Sequence, residues 1–288
     1  MKKNHYLLLA VSVFMALIGC QNKKQQALQT AYEKEINAWH TQRLVELTKP
    51  HGWLSLVALE WLHEGKNSLT SFGTINLDKN RLSVEIENGV SATLKGKKFV
   101  EGAVKSDDEK EGPDTIFIGT RANILIKRGE RYALRALDSE AATRKQFTRI
   151  DRFPVSLKWR IEADWKPYEK PKKLSIETVL PDYKEEGFAT GVAVFSNEGK
   201  EYQLEPIVDD SQTDYFFIIG DKTNGNETYG AGRFLHMGPP VNGKIVIDFN
   251  KATNPPCAFT VFATCPLPPP NNRLPFKVEA GEKKYSHQ

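Results

Sequence analysis

The stretch Arg81-Leu82-Ser83-Val84-Glu85-Ile86-Glu87, followed by Asn88-Gly89, decides the fold. Leucine, valine and isoleucine alternate with serine and glutamate at a period of two, which places one apolar face of a strand against a core and one polar face in water. Asn-Gly after such a run predicts a hairpin turn, because both residues accept a positive φ. The pattern returns in Asn123-Ile124-Leu125-Ile126-Lys127, which runs into a turn at Arg128-Gly129. Shorter apolar runs follow at 114–118, 132–137, 157–163, 173–179, 191–195, 202–207, 215–219, 228–234, 244–249 and 259–263. Short strands at this spacing predict a mainly β chain, a single sandwich- or barrel-like antiparallel domain over 51–288. The charged, proline-bearing region around Pro167 and Pro171 is either an internal boundary or a crossing between two halves of one sheet system.

Upstream, the period changes. Leu28, Tyr32, Ile36, Trp39, Leu44 and Leu47 recur every three to five residues with Glu, Lys and Gln between them, so residues 21–50 read as a tether and an amphipathic helix ending at Pro50. The next run, Gly52 through Leu62, is too apolar for exposure and fits either a buried helix or a strand.

The first segment carries Lys2-Lys3, an apolar run from Tyr6 to Leu17, and Leu17-Ile18-Gly19-Cys20. Its charge, length and small-residue end are those of a secretory signal, and the run falls short of the roughly 20 apolar residues of a comfortable membrane span. Its last four residues resemble a bacterial lipobox. Residues 1–20 are therefore expected to be a lipoprotein signal peptide, with Cys20 acylated and anchored in a bilayer, since each buried methylene contributes about 0.8 kcal/mol. Gln21 stands where an aspartate would resemble an inner-membrane retention signal, which points to an outer-membrane lipoprotein of the cell envelope facing the periplasm.

Loss of residues 1–20 removes Lys2 and Lys3 and no acid, lowering the net charge from +4 to +2. That near-neutral balance argues against a nucleic-acid partner. With 40% apolar and 26% charged residues the composition is that of an ordinary globular protein.

Several chemistries lose support on spacing. His63-Glu64 lacks the second imidazole of a zinc-protease helix, because Asn67 stands in its place. Gly230-Ala231-Gly232 is followed by Leu235 where a dinucleotide fingerprint wants glycine or alanine, and reads as a backbone that must be approached closely. Phosphate-loop and nucleophile-elbow motifs are absent from the sequence. The oxygen-rich run 221–227 suits a structural turn better than a calcium loop. A metal site from His51, His236 and Asp221 has no supporting spacing, so neither a metal nor a cofactor is expected.

The densest unusual chemistry lies near the C-terminus: Asp248-Phe249-Asn250, Asn254-Pro255-Pro256-Cys257-Ala258, Cys265-Pro266-Leu267-Pro268-Pro269, Asn272-Arg273-Leu274 and Ala280-Gly281-Glu282. These segments closely resemble the bacterial and archaeal family of unknown function DUF1684. The resemblance continues upstream through His51-Gly52-Trp53-Leu54, Trp61-Leu62, Arg131, Leu134-Arg135, Asp138, Phe147 and the stretch from Asp221 to Arg233. It identifies a family and transfers no activity.

Polar groups in such apolar, proline-rich surroundings must be paired, since an unsatisfied one costs about 1–3 kcal/mol. Arg233 with Asp248 is the obvious pair. Arg135 and Arg233 also have the planar fork that faces a carboxylate or phosphate. Asn250, Asn254 and Asn272 either satisfy local backbone or line a polar pocket. Cys257 and Cys265 read as a disulfide, as two buried thiols, or as a reactive thiol. Two functions stay open: a domain binding a small polar or anionic ligand through Arg135, Arg233, Asp248, Asn250, Asn254 and Asn272, or a hydrolase in which Cys257 or Asp248 reacts with His51 or His236 assisting.

Overall fold

The computed structural model describes residues 3–209 and 211–286, with side chains from Lys23 onward. Cys20 and the expected signal at 1–20 thus lie outside the residues whose side chains are described. The chain is mainly β, with 44% of it in strands, antiparallel sheets and one long N-terminal helix. Among the described residues no helix is long and apolar enough to cross a membrane.

Helix α1 runs Lys3–Leu47 and ends short of Pro50. The ambiguous apolar run after it is extended: a 3-10 turn at Trp53–Ser55 leads into β1 (Leu56–Trp61). Nine strands follow before the chain changes lobe: β2 (Gly65–Leu69), β3 (Gly73–Asp78), β4 (Arg81–Ile86), β5 (Ala92–Leu94), β6 (Lys97–Phe99), β7 (Glu101–Ala103), β8 (Thr115–Ile118), β9 (Arg121–Arg128) and β10 (Arg131–Asp138). They form a six-stranded sheet in the order β1-β10-β9-β8-β5-β6 and a four-stranded sheet in the order β2-β3-β4-β7. Leu82, Val84 and Ile86 face inward on β4, meeting Ile116, Leu125 and Leu134 of the larger sheet. The β9–β10 hairpin closes with Arg128 opposite Arg131, and Gly129 takes a φ of 64° in the turn.

A short helix α2 (Ala142–Lys145) and a 3-10 turn at Leu157–Trp159 lead to the second lobe. It contains β11 (Arg160–Glu177), β12 (Lys184–Asn197), β13 (Lys200–Leu204), β14 (Ile207–Val208), β15 (Tyr215–Ile219), β16 (Arg233–Met237) and β17 (Lys244–Asp248). The order β16-β15-β14-β12-β11-β17, with β13 beside β12, makes a sheet that curls into a nearly closed barrel. Trp159, Phe195, Phe217, Leu235, Ile247 and Phe249 fill its interior.

Pro167 and Pro171 mark no boundary. Both lie inside β11, whose pairing with β12 shifts register between Pro167 and Lys172. A residue without a ladder donor is tolerated at such an irregularity, so the two expected strands at 157–163 and 173–179 are arms of one long strand. The expected strand at 259–263 is a turn instead: the Thr260 hydroxyl donates to the Leu56 carbonyl at 3.2 Å and accepts the Phe262 amide at 3.2 Å, a local bond that replaces a ladder.

Candidate functional site

Arg233 opens β16 and is fully buried, but its partner is Asp221 and not Asp248. Nη2 donates to Asp221 Oδ2 at 2.7 Å and to the Val278 carbonyl at 2.9 Å, and Nη1 donates to the Ala280 carbonyl. The other oxygen of Asp221 accepts from the Thr223 amide and hydroxyl and from the Val278 amide. The 221–228 loop is thereby a knot that clamps the C-terminal segment. Asp248, the expected partner, ends β17 and bonds Tyr32 of α1 instead. Gly232 keeps a φ of 99°, and a Cβ there would come within 2.5 Å of the Ile219 carbonyl and Pro268, so the backbone is indeed closely approached.

Asp248 and Asn250 are joined. Asp248 Oδ1 accepts from the Tyr32 hydroxyl at 2.6 Å and from the Asn250 side chain at 3.1 Å, while Asn250 exchanges bonds with both backbone groups of Ser156. Burial and the bond to Asp248 push the Tyr32 hydroxyl well above its usual range. Asn272 stands elsewhere, clasping the amide and carbonyl of Glu205 at 2.9 and 2.8 Å. Asn254 donates to buried Glu282 and to the Lys283 carbonyl, and its Oδ1 has no partner. Burial drives the Glu282 carboxyl upward, against the opposing pull of Arg43.

The two histidines lie apart from these carboxylates and thiols. His51 contacts the Thr120 carbonyl and the Phe117 ring, and His236 pairs with Asp214 at 2.7 Å. Arg135 is 6% exposed, packs over the Trp53 ring at 5.4 Å, and leaves its Nε unpartnered. Desolvation, then the neighbouring Arg128, pulls its guanidinium down to about 10. Cys257 and Cys265 are free thiols facing each other. Among the described residues no cluster of three His, Cys, Asp or Glu side chains gathers to hold a metal ion.

The groups that converge on open space are different ones. A cleft of about 420 Å³ lies between α1 and the barrel edge, lined by Trp39, Arg43, Trp53, Phe216, His236, Lys251 and Asn254 among others. Spacing of four residues on a helix puts Trp39 and Arg43 on one face. Phe216 and His236 are cross-strand partners whose rings stack at 4.6 Å and 18°. Arg43 is fixed from behind, with Nε on Glu282 at 3.4 Å and Nη2 on the Asn254 carbonyl at 3.2 Å, and Lys251 reaches Glu35 at 3.3 Å. Two permanent cations and no carboxylate line the cleft. Of the residues expected for binding, only Asn254 belongs to it. Trp39, Arg43 and Lys251 were missed because their meeting depends on where α1 docks; the sole local signal was an aromatic and a cation at helical spacing.

The model of a family described as protein of unknown function (DUF1684) matches residues 145–283. Among solved structures, the chain is similar to the solution NMR structure of an uncharacterised protein of Haloarcula marismortui, with 28% identity over 49% of this chain and 79% of that one, and a TM-score of 0.42. No curated protein matches the chain.

The matched segment covers the barrel and the C-terminal clamp. It supplies Phe216, His236, Lys251 and Asn254 to the cleft, whereas Trp39, Arg43 and Trp53 come from the helix and turn that precede it. The cleft is a joint product of the barrel and the helix laid against it.

Proposed function

We propose that this chain is an envelope lipoprotein, tethered through Cys20 to the outer membrane, whose cleft between α1 and the DUF1684 barrel binds a small anionic ligand with a planar apolar body. The observation that carries the binding reading is the cleft itself: aromatic walls from Trp39, Trp53 and the stacked Phe216–His236 pair, with Arg43 and Lys251 as its permanent charges. A mostly apolar concavity with a few fixed polar groups is the usual form of a small-molecule site. A guanidinium already held in place loses little freedom when a carboxylate arrives, which favours Arg43 as the anchor.

The hydrolase alternative is less supported by this arrangement. Asp248 spends its Oδ1 on Tyr32 and Asn250, and both histidines have other partners. The tether reading rests on the Leu17-Ile18-Gly19-Cys20 run alone.

A panel of aromatic carboxylates, each paired with its neutral carboxamide, tests the binding reading by thermal shift. Acids that raise the unfolding temperature where their amides do not support it. A panel in which no acid shifts the transition, or in which acid and amide act alike, rejects an anion site.

A further inference from the structure

Cys257 and Cys265 come from the proline-rich segment that runs between the two lobes. Their backbones and sulfurs are reciprocally bonded: the Cys257 amide donates to Cys265 Sγ at 3.1 Å, and the Cys265 amide donates to Cys257 Sγ at 3.4 Å. The two thiols differ in access. Cys265 is buried among Leu56, Ala263 and their neighbours, while Cys257 is half-buried and lines an open cleft of about 420 Å³ with Leu56, Thr143 and Phe262. Tyr229 holds the segment in place by donating its hydroxyl to the Cys257 carbonyl at 3.0 Å.

The charge beside the pair is unusual. Arg135 is almost fully buried, yet no carboxylate forms an ion pair with it among the described residues, and its Nε has no hydrogen-bond partner. The neighbouring Arg128 has taken the available acid, Asp107, at 2.8 Å and also donates to Thr264, next to Cys265. A buried cation without an anion is costly. A thiolate at the cysteine pair is the charge this arrangement lacks.

We propose that Cys257 and Cys265 form a thiol–disulfide exchange site, with Cys257 the attacking thiol, Cys265 the resolving thiol and Arg135 a positioning residue that favours the Cys257 thiolate. The groups facing the pair pull its two members apart. The Cys265 thiol, the two amides and Arg135 lower the Cys257 value, outweighing burial. The same shared bond to Cys257, together with burial and the nearby Glu185 carboxylate, raises Cys265. Tyr229 is itself pushed upward by burial and by both sulfurs. One partly accessible thiolate beside one protected thiol is the asymmetry that exchange chemistry uses.

The oxidant is an external disulfide. The Cys257 thiolate attacks one of its sulfurs, forming a mixed disulfide and releasing the first thiolate. Cys265 then gives up its proton and attacks Cys257 Sγ, closing the Cys257–Cys265 bond and expelling the second thiolate. Two electrons pass from the protein to the external disulfide, which leaves as two thiols.

The test equilibrates the full-length chain in glutathione buffers of rising oxidised fraction, traps free thiols with an alkylating agent, and reads peptides by mass, which separates this pair from Cys20. The proposal expects Cys257 and Cys265 to lose alkylation together and to appear as one cross-linked peptide pair. It expects a glutathione adduct at Cys257 to accumulate in Cys265→Ser, and Cys265 to stay unmodified in Cys257→Ser. In the reduced unsubstituted chain, alkylation read at the Cys257 peptide should reach its half-maximal rate below the ordinary thiol value of about 8.5. Arg135→Gln should shift that midpoint upward, and Arg135→Lys should restore it. Both cysteines remaining alkylatable at every glutathione ratio overturns the proposal, as does an adduct that forms first on Cys265. A pH profile unchanged in Arg135→Gln removes Arg135 from it. Oxidation of the unsubstituted chain stands on its own if Arg135→Gln does not fold.

Discussion

Tyr32 donates its hydroxyl to Asp248 at 2.6 Å, across 216 residues of sequence. The contact fastens α1 to the end of β17. Gln29 adds a bond to the Val155 carbonyl at 2.7 Å, and Arg43 reaches Glu282 at the other end of the same helix face. The helical part of the 21–50 segment is therefore docked against the barrel, and the cleft exists because it is docked there.

Tyr32→Phe should destabilise the fold by about 1–3 kcal/mol, because it strips a bond from a carboxylate with 2% exposure. Urea unfolding measures it. A change below about 0.5 kcal/mol contradicts the view that this bond fastens the helix.

Arg233→Met removes the partner of a buried Asp221 and frees the 278–282 backbone from its donors. Breaking one side of a buried ion pair costs about 3–5 kcal/mol. Asp248→Asn should leave the clamp intact and loosen α1 instead. Equal loss of protection from proteolysis of the C-terminal segment in both variants contradicts the separation of the two networks.

His40 is buried, its Nε2 has no hydrogen-bond partner, and burial followed by the charges of Arg152 and Arg43 pulls it down to about 4 from 6.5. Between those values the unfolded chain binds a proton that the folded chain refuses, so stability falls as pH drops through that window. His40→Gln should flatten the fall between pH 6.5 and 4 when unfolding is followed by denaturant at each pH. Parallel curves for the two proteins contradict a neutral, buried imidazole.

The β architecture was legible wherever one face of a strand meets water. Leu82, Val84 and Ile86 alternate with Ser83 and Glu85, and the pattern is the burial pattern. The run Gly52–Leu62 was not assignable, since an unbroken apolar run carries no period; β1 is an edge strand that leaves Glu60 and Trp61 exposed. Near the C-terminus, local chemistry was readable: Asn250 and Asn272 satisfy backbone groups as amides beside turns do. Partner choice was not: Arg233 takes Asp221, 12 residues upstream, because the 221–228 loop folds back beneath it. The cleft was least legible of all. Trp39 and Lys251 lie far apart in sequence, and only the docking of α1 brings them to one surface.

The binding reading stands or falls most directly on calorimetric titration of the tightest aromatic carboxylate from the panel into the wild-type chain and into Lys251→Gln. Lys251 lines the cleft and, among the described residues, its side chain otherwise bonds the exposed Glu35, so its loss should spare the fold. Saturable binding of one ligand per chain is expected, weakened about tenfold or more in the variant, which corresponds to ~1.4 kcal/mol. Equal affinity for the two proteins would contradict it.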